Sequence, residues 1–552
     1  MSAKNNDRFI NPYNFVPFGQ RSADADHAPS GHGSYGGSDL ISGTISCVLR
    51  VETPLLVLDQ DAAIDGEPIR VQKGPDRKPL ILPSSVRGML RGAYEAVTSS
   101  RLPVPVPGPF SIREGTDRAR EKFPAVVLPD SDKILKVWVA KFGDVPALVK
   151  VSKAQVRDDM LGKLLFAFLK PGARNGTPWR VIEWSLNPAQ GAAPEPPEGG
   201  VLARGFLLSN PNDFPGKRSH IFVPYAVGSG ARAQLPLDPQ LFAIDESFKA
   251  KWCELERRMK ETHPGIDFSL KPGRTMLVTL SGQGGDAGIA DVSLAQIGRR
   301  STALEPIDLL PSSMTPATTI EEFSPADRVF GLVGLEEGSP LTYRASARVG
   351  MIRPVNTSIA SDPIRLAPLE APKPQQYGFY VRAGHPNGRG ASGKGTTENP
   401  WATGGRNGDE LRGRKTYLHH PGFKGPVDSE SEAQSSKVRA RCVKPDSEFH
   451  FDLRVDALDE ADLMPLLALL ALPTGHFHRL GHGKPLGYGS VRLEIDWSRT
   501  VLQSGEELRQ EYRNGPRAEG AGQYEAKVAE WLERHAGQSE SWKAWMLSAK
   551  GF

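Results

Sequence analysis

Residues 480–491 read Leu-Gly-His-Gly-Lys-Pro-Leu-Gly-Tyr-Gly-Ser-Val, and they lie between a helical pattern and a strand pattern. Gly481, Gly483, Gly487 and Gly489 let the backbone come close to a partner and turn its N–H groups towards phosphate oxygens, while Lys484 adds positive charge. The spacing is not that of a Walker loop, because no Lys-Ser/Thr pair follows a glycine at the required offset. A glycine-rich turn can also serve inside a fold, so the surrounding sequence decides. If the loop meets RNA, bulkier residues at Gly487 and Gly489 are expected to push the backbone off the RNA without unfolding the chain.

Upstream, Phe449, Phe451, Leu453 and Val455 alternate with His450, Asp452 and Arg454, the period of a half-buried strand over 447–456. An apolar helix is predicted over 460–472 and a strand over 489–496. Near the other end, 41–51 reads as a strand. Val86, Leu90, Ala93 and Val97 recur at helical spacing over 84–97, with Ser84 or Ser85 as the cap. A further strand is predicted over 342–352. In chain order these pieces form β-α-β-β-α-β, an α+β fold of the ferredoxin-like, RRM-like kind with two large insertions.

The expected organisation is an N-terminal arm over 1–39, the first half of the core over 40–100 and an insertion of unassigned fold over 101–340. A core strand over 341–352 precedes a Gly/Arg-rich, thumb-like insertion over 353–440. The second half of the core occupies 441–500, and a helical tail 501–552. Within the first insertion only a helix over 245–262 and a strand over 274–280 are legible. The aromatic segment 11–18 of the arm is expected to dock on a surface.

With these pieces in order, the chain resembles the RAMP superfamily of CRISPR-associated proteins. Residues 480–491 are similar to its C-terminal glycine-rich loop, and Ile41–Val57 looks like its first strand and the turn after it. Leu80–Glu95 resembles the Pro-Gly-Ser-Ser-Leu-Lys-Gly-x-x-Arg helix start of the backbone subunits, with Leu82-Pro83 standing where the family has Pro-Gly. Phe323–Gly331 and Tyr343–Val349 are similar to its Arg-x-Phe-Gly segment and second strand. The resemblance covers about a third of the chain and is nearest to a long branch of type III effector proteins with an Asn-Pro-Tyr-Asn-Phe-like start. It implies a RAMP fold, binding of CRISPR guide RNA and target single-stranded RNA, and assembly with other effector subunits.

The same resemblance implies an aspartate in the loop between the first strand and first helix that cuts guide-paired target RNA. Asp65 best matches the family's Ala-Ile-Asp-x-Pro pattern, with Asp59, Asp61 and Asp76 in the same loop. Such a carboxylate holds a divalent cation such as Mg²⁺ or orients a 2′-hydroxyl. An ordinary solvated turn aspartate has the same sequence. His419 and His420, in the basic stretch Arg412–His420 with Arg414 and Lys415, offer a metal-independent route to precursor RNA processing. A non-catalytic RNA-binding scaffold is the third reading. Arg87 and Arg91, on the first turns of the helix, are assigned to guide phosphates. His476, His478 and His482 have no carboxylate or cysteine at ligand spacing, so no protein-held metal site is read from them.

Composition bounds these readings. The chain has 552 residues, 39% hydrophobic and 24% charged, which suits a folded body. A net charge of +4 leaves any phosphate-binding surface local. Cys47, Cys253 and Cys442 form no CxxC pair, which argues against a disulfide framework and a zinc site. The longest apolar run is too short to span a bilayer, and the N-terminus has no signal-peptide pattern, so a cytoplasmic location without membrane contact is expected.

Overall fold

The computed structural model describes residues 12–104 except 32, 36, 38 and 60–66, then 304–334, 341–382 except 368 and 370–375, 409–420, and 438–551 except 516–520 and 537. Between 108 and 301 it describes the strands, one helix and their immediate flanks. The chain divides into two units, one made of Met1–Phe110 with Ala303–Phe552 and the other of Ser111–Thr302.

Six elements carry the first unit: β1 (Ile41–Val51), α1 (Pro83–Val97), β2 (Ala347–Val349), β3 (Glu448–Leu458), α2 (Glu460–Leu470) and β4 (Ser490–Ile495). The strands pair antiparallel in the order β4–β1–β3–β2. Alternation decides which face is covered. Ile45, Cys47 and Leu49 of β1, Phe449, Phe451, Leu453 and Val455 of β3, and Val491 and Leu493 of β4 join one core with Val86, Leu90 and Tyr94 of α1. Burying each such large apolar side chain stabilises the fold by about 1.5–3 kcal/mol.

Helix α2 is apolar on nearly every side because α1 packs on one flank and the helix Gly522–Ala536 on another. The helix Glu540–Lys550 packs on α1. The arm docks as the aromatic segment leads one to expect. Tyr13–Val16 pairs antiparallel with Arg414–Tyr417, which ties the described middle of the second insertion to the arm.

Three features differ from the sequence reading. Helix α1 begins at Pro83 with Leu82 as its cap residue and no side-chain cap bond, so Ser84 and Ser85 are exposed in the first turn. Proline at the first helical position removes one of the unpaired N–H groups and fixes a helical φ, and Ser85 N–H donates to Leu82 O at 2.9 Å, so the helix can start without a serine cap. The predicted strand over 342–352 is broken. Thr342–Tyr343 pairs with Leu332–Val333, Ala347–Val349 pairs with β3, and Arg353–Asn356 pairs with β3 again further along. Gly350 sits at the break, donating its N–H to Asp452 O at 2.7 Å.

Third, the stretch 304–334, read as part of the first insertion, belongs to the first unit. Ala326, Val329 and Phe330 lie in the core of that unit. Arg328 is held there by Asp462 of α2 through Nε at 2.7 Å and a terminal nitrogen at 2.8 Å, and it also donates to Phe323 O at 2.7 Å and Ala25 O at 2.9 Å.

In the second unit two five-stranded antiparallel sheets are described. One runs in the order Val149–Ser152, Ser219–Val227, Val201–Leu207, Leu165–Lys170, Arg180–Ser185. The other runs Gln240–Ala243, Ile134–Val137, Lys122–Val127, Thr275–Ser281, Gly288–Ser293. The helix Glu246–Thr262 covers the second sheet with Phe248, Trp252 and Leu255. Among the described residues, no helix is long and apolar enough to cross a membrane.

Removing Asp462 strands the Arg328 guanidinium among apolar neighbours. Asp462→Ala is expected to cost about 3–5 kcal/mol, and the double change Arg328→Met/Asp462→Leu to recover most of that loss. Urea unfolding followed by tryptophan fluorescence measures both. A loss below about 1 kcal/mol for Asp462→Ala would contradict a buried, compensating pair.

Candidate nucleic-acid interface

The glycine-rich loop closes against the chain that leaves β1. Gly489 N–H donates to Pro54 O at 3.0 Å, His482 N–H to Leu56 O at 2.9 Å, and Leu480 N–H to Gly489 O at 2.8 Å. Thr53 Oγ1 donates to Gly487 O at 3.0 Å and accepts from the Ser490 N–H at 2.9 Å. All four glycines have positive φ, between 69° and 93°. A Cβ on Gly489 would lie 1.9 Å from Leu480 O, and one on Gly481 2.6 Å from Leu56 O. Several of the N–H groups assigned to phosphate are therefore spent inside the protein.

That geometry corrects the expectation that Gly489 can be enlarged without disturbing the fold. Gly489→Ala is expected to destabilise by more than about 2 kcal/mol, from the backbone clash and the left-handed φ together. Lys484→Ala should leave the melting temperature within a few degrees. Thermal unfolding of the two variants separates the roles, and a Gly489→Ala variant as stable as the parent would refute the close approach.

Behind the loop a small apolar cluster of Leu56, Ala440, Cys442 and Tyr488 joins it to a second layer that includes Ile69, Ala360 and Ile364. Leu58 bridges Val71, Ile69 bridges Ala440, and Ile359 bridges Val443. These crossings frame a groove of about 550 Å³ lined by Asp59, Arg70, Val71, Lys73, Ile359, Ala360, Ser361 and Arg441. Arg70, Lys73 and Arg441 face one carboxylate among the described lining residues, that of Asp59. Arg441 is braced by the carbonyls of Ala360 and Ser361, and the Arg70 side chain lies 64% exposed, 3.3 Å from Glu67.

Asp61 and Asp65 lie outside the described residues. Asp59 stands at the N-terminal end of that stretch, its N–H donating to Arg70 O at 3.0 Å. Asp76 accepts from the Lys78 N–H at 3.1 Å within an exposed turn.

Several other candidates are engaged by the protein itself. Arg87 donates to Phe330 O. Arg91 pairs with Glu95 at 2.7 Å and donates to Gly331 O at 2.9 Å. Arg414 is half-buried, bonded to the other Glu95 oxygen at 2.8 Å and to Arg101 O at 2.9 Å. These arginines brace Phe330–Gly331 and the second insertion against α1. Arg412 donates to Val381 O at 3.3 Å, and exposed Lys415 sits over the rings of Tyr13 and Tyr417.

His419 and His420, distant in sequence from the glycine loop, arrive beside it. His419 is buried, its Nδ1 2.8 Å from Ser490 Oγ and its ring 4.3 Å from that of Phe477. Burial, then Arg479 and His420, push its pKa down to about 4. His478 is buried with Nε2 2.8 Å from Leu469 O, and burial lowers its pKa to about 4. His476 Nδ1 lies 3.3 Å from Pro473 O, and His482 is exposed. Among the described residues no three His, Cys, Asp or Glu groups gather as metal ligands.

The uncovered face of the sheet carries no aromatic platform. On β1, β3 and β4 its side chains are Ser46, Val48, Arg50, His450, Asp452, Arg454, Arg492 and Glu494, and its charges are largely paired. Arg50 bridges Glu448 at 2.5 Å and Glu494 at 3.3 Å, and Arg492 meets Glu494 at 2.6 Å. The groove cations Arg70, Lys73 and Arg441 were not singled out by sequence reasoning. The alternation Arg439-Ala440-Arg441-Cys442-Val443 is the signal that could have placed Arg441 on an outward strand face. No protein-family model matches the chain, and no curated protein sequence matches it.

Proposed function

We propose that this chain is an RNA-binding subunit of a type III CRISPR ribonucleoprotein, built on a ferredoxin-like RAMP core, and that single-stranded RNA lies along the groove of Arg70, Lys73 and Arg441. The observation that carries this reading is the convergence of three cations on one groove that Asp59 also lines. The strand order β4–β1–β3–β2, with a helix after β1 and another after β3, supports the ferredoxin-like assignment. Paired charges on the open sheet face leave little net field there to attract a polyanion, whereas the groove has a local excess of positive charge.

The described donor set of the groove suits a phosphodiester. Among the described lining residues, Asp59 is the one carboxylate that could contribute an oxygen to a divalent cation, which needs several. In the groove, the cations hold the backbone phosphates and balance the charge that grows on a phosphate under attack. An aspartate of the adjoining loop can orient the 2′-hydroxyl of a splayed nucleotide and take its proton. The histidine route to precursor processing is less well supported, since His419 is buried and bonded to Ser490.

Arg70→Ala/Lys73→Ala/Arg441→Ala should weaken single-stranded RNA binding about 10- to 1000-fold and flatten the slope of log K against log salt by about 2. In the assembled particle with guide RNA, Asp65→Ala should slow target cleavage roughly a hundredfold or more without weakening RNA binding. Unchanged affinity in the triple variant would refute the groove assignment. Cleavage lost in Asp59→Ala but kept in Asp65→Ala would move the chemistry to Asp59. A wild-type particle that binds target RNA but never cuts it would leave the scaffold role.

A further inference from the structure

The chain buries a second group of cations beside the glycine loop, and no described carboxylate pairs with it. Arg479 is 9% exposed. Its terminal nitrogens are held by protein oxygens: one donates to Lys484 O at 2.9 Å, the other to Ser490 Oγ and to Gly487 O at 3.4 Å. Its Nε–H is buried with no partner, and so is His420 Nε2. Lys484 is close enough for the Arg479 charge to lower its pKa in addition to the larger effect of burial. Burial lowers the pKa of Arg479 itself to about 10, and burial followed by Arg479 lowers that of His420. His419, also facing the group, spends Nδ1 on Ser490 Oγ.

A buried cation without a counter-charge is costly, and so is a buried N–H without an acceptor. The groups here could be apolar if packing were their only task. A guanidinium, an imidazole and an ammonium group brought together from two chain segments suit a tetrahedral oxyanion with several acceptor oxygens. Lys484 and His420 are both half-buried. The short turn that carries Lys484 is flanked by Gly483 and Gly487, both in the left-handed region.

We propose that Arg479, His420 and Lys484 form an anion site, separate from the groove, that takes a phosphate group. The anion supplies the missing counter-charge and locks the glycine loop in place. The inference does not depend on the groove reading, because inorganic phosphate alone is a sufficient ligand.

The test uses the full chain carrying Arg70→Ala/Lys73→Ala/Arg441→Ala, so that the groove contributes nothing. It is titrated in chloride buffer with inorganic phosphate, then with one short RNA bearing either a 5′-phosphate or a 5′-hydroxyl. Inorganic phosphate is expected to raise the melting temperature and to bind saturably, and His420→Leu and Lys484→Ala should each weaken that binding at least fivefold. Tighter binding of the 5′-phosphorylated RNA identifies a terminal phosphate as the natural ligand. Equal binding of both RNAs, weakened by Lys484→Ala, identifies an internal phosphodiester. Should Arg479→Gln fail to fold, the other two variants still decide. The proposal is overturned if phosphate neither binds nor stabilises, or if His420→Leu and Lys484→Ala bind it as the parent does.

Discussion

The close approach of the glycine loop to the backbone of Pro54, Leu55 and Leu56 is the constraint on which the rest of the first unit's working surface depends. The segment leaving β1 is held from two sides, by Val443 through paired Leu55 bonds and by the loop through His482 and Gly489. A side chain at Gly489 would occupy the space of Leu480 O. Because the loop sits this close, Tyr488 reaches the apolar cluster with Leu56, Ala440 and Cys442. That cluster supports the strands that present Arg70 and Arg441. The loop's glycines thus act on the groove through packing, and the groove meets the solvent.

Charge is distributed with a corresponding logic. On the open face of the sheet, arginines alternate with carboxylates at 2.5–3.3 Å. Under α1, Arg91 and Arg414 share Glu95, and Arg328 is bound to Asp462. Arg414–Glu95 and Arg328–Asp462 join segments far apart in sequence, and the pairs add little net field. Cations exceed carboxylates among the described residues at the groove and again at Arg479. A chain whose net charge is only +4 can attract a polyanion if its excess is gathered in this way.

Much of the core was legible in the sequence because its strands alternate cleanly and its helices carry apolar residues at helical spacing. Phe449 to Val455 and Val86 to Val97 fall where their periods place them. The core role of 323–330 was legible only through its resemblance to a family segment, because a six-residue helix gives no period to read, and its burial of Ala326, Val329 and Phe330 with the Arg328–Asp462 pair appears only in the fold. Arg87, Arg91 and Arg414 looked like phosphate ligands because a sequence shows charge without showing partners. The Arg479 group was hidden for the converse reason. Its neighbours His419 and His420 lie some sixty residues away, and only the fold brings them to Ser490. Asp65 keeps the standing that its sequence pattern gives it, since it lies outside the described residues.

RNA is proposed to meet this chain at the layer joined to the glycine loop and not on the open face of the sheet. Zero-length ultraviolet cross-linking of a 4-thiouridine-substituted RNA to the full chain, read out by peptide mass spectrometry, tests it directly. Cross-links concentrated in 57–80, 358–366, 438–444 and 480–490 are the predicted result. Cross-links concentrated instead on the outward residues of β1, β3 and β4, around Val48, His450 and Arg492, would contradict the account.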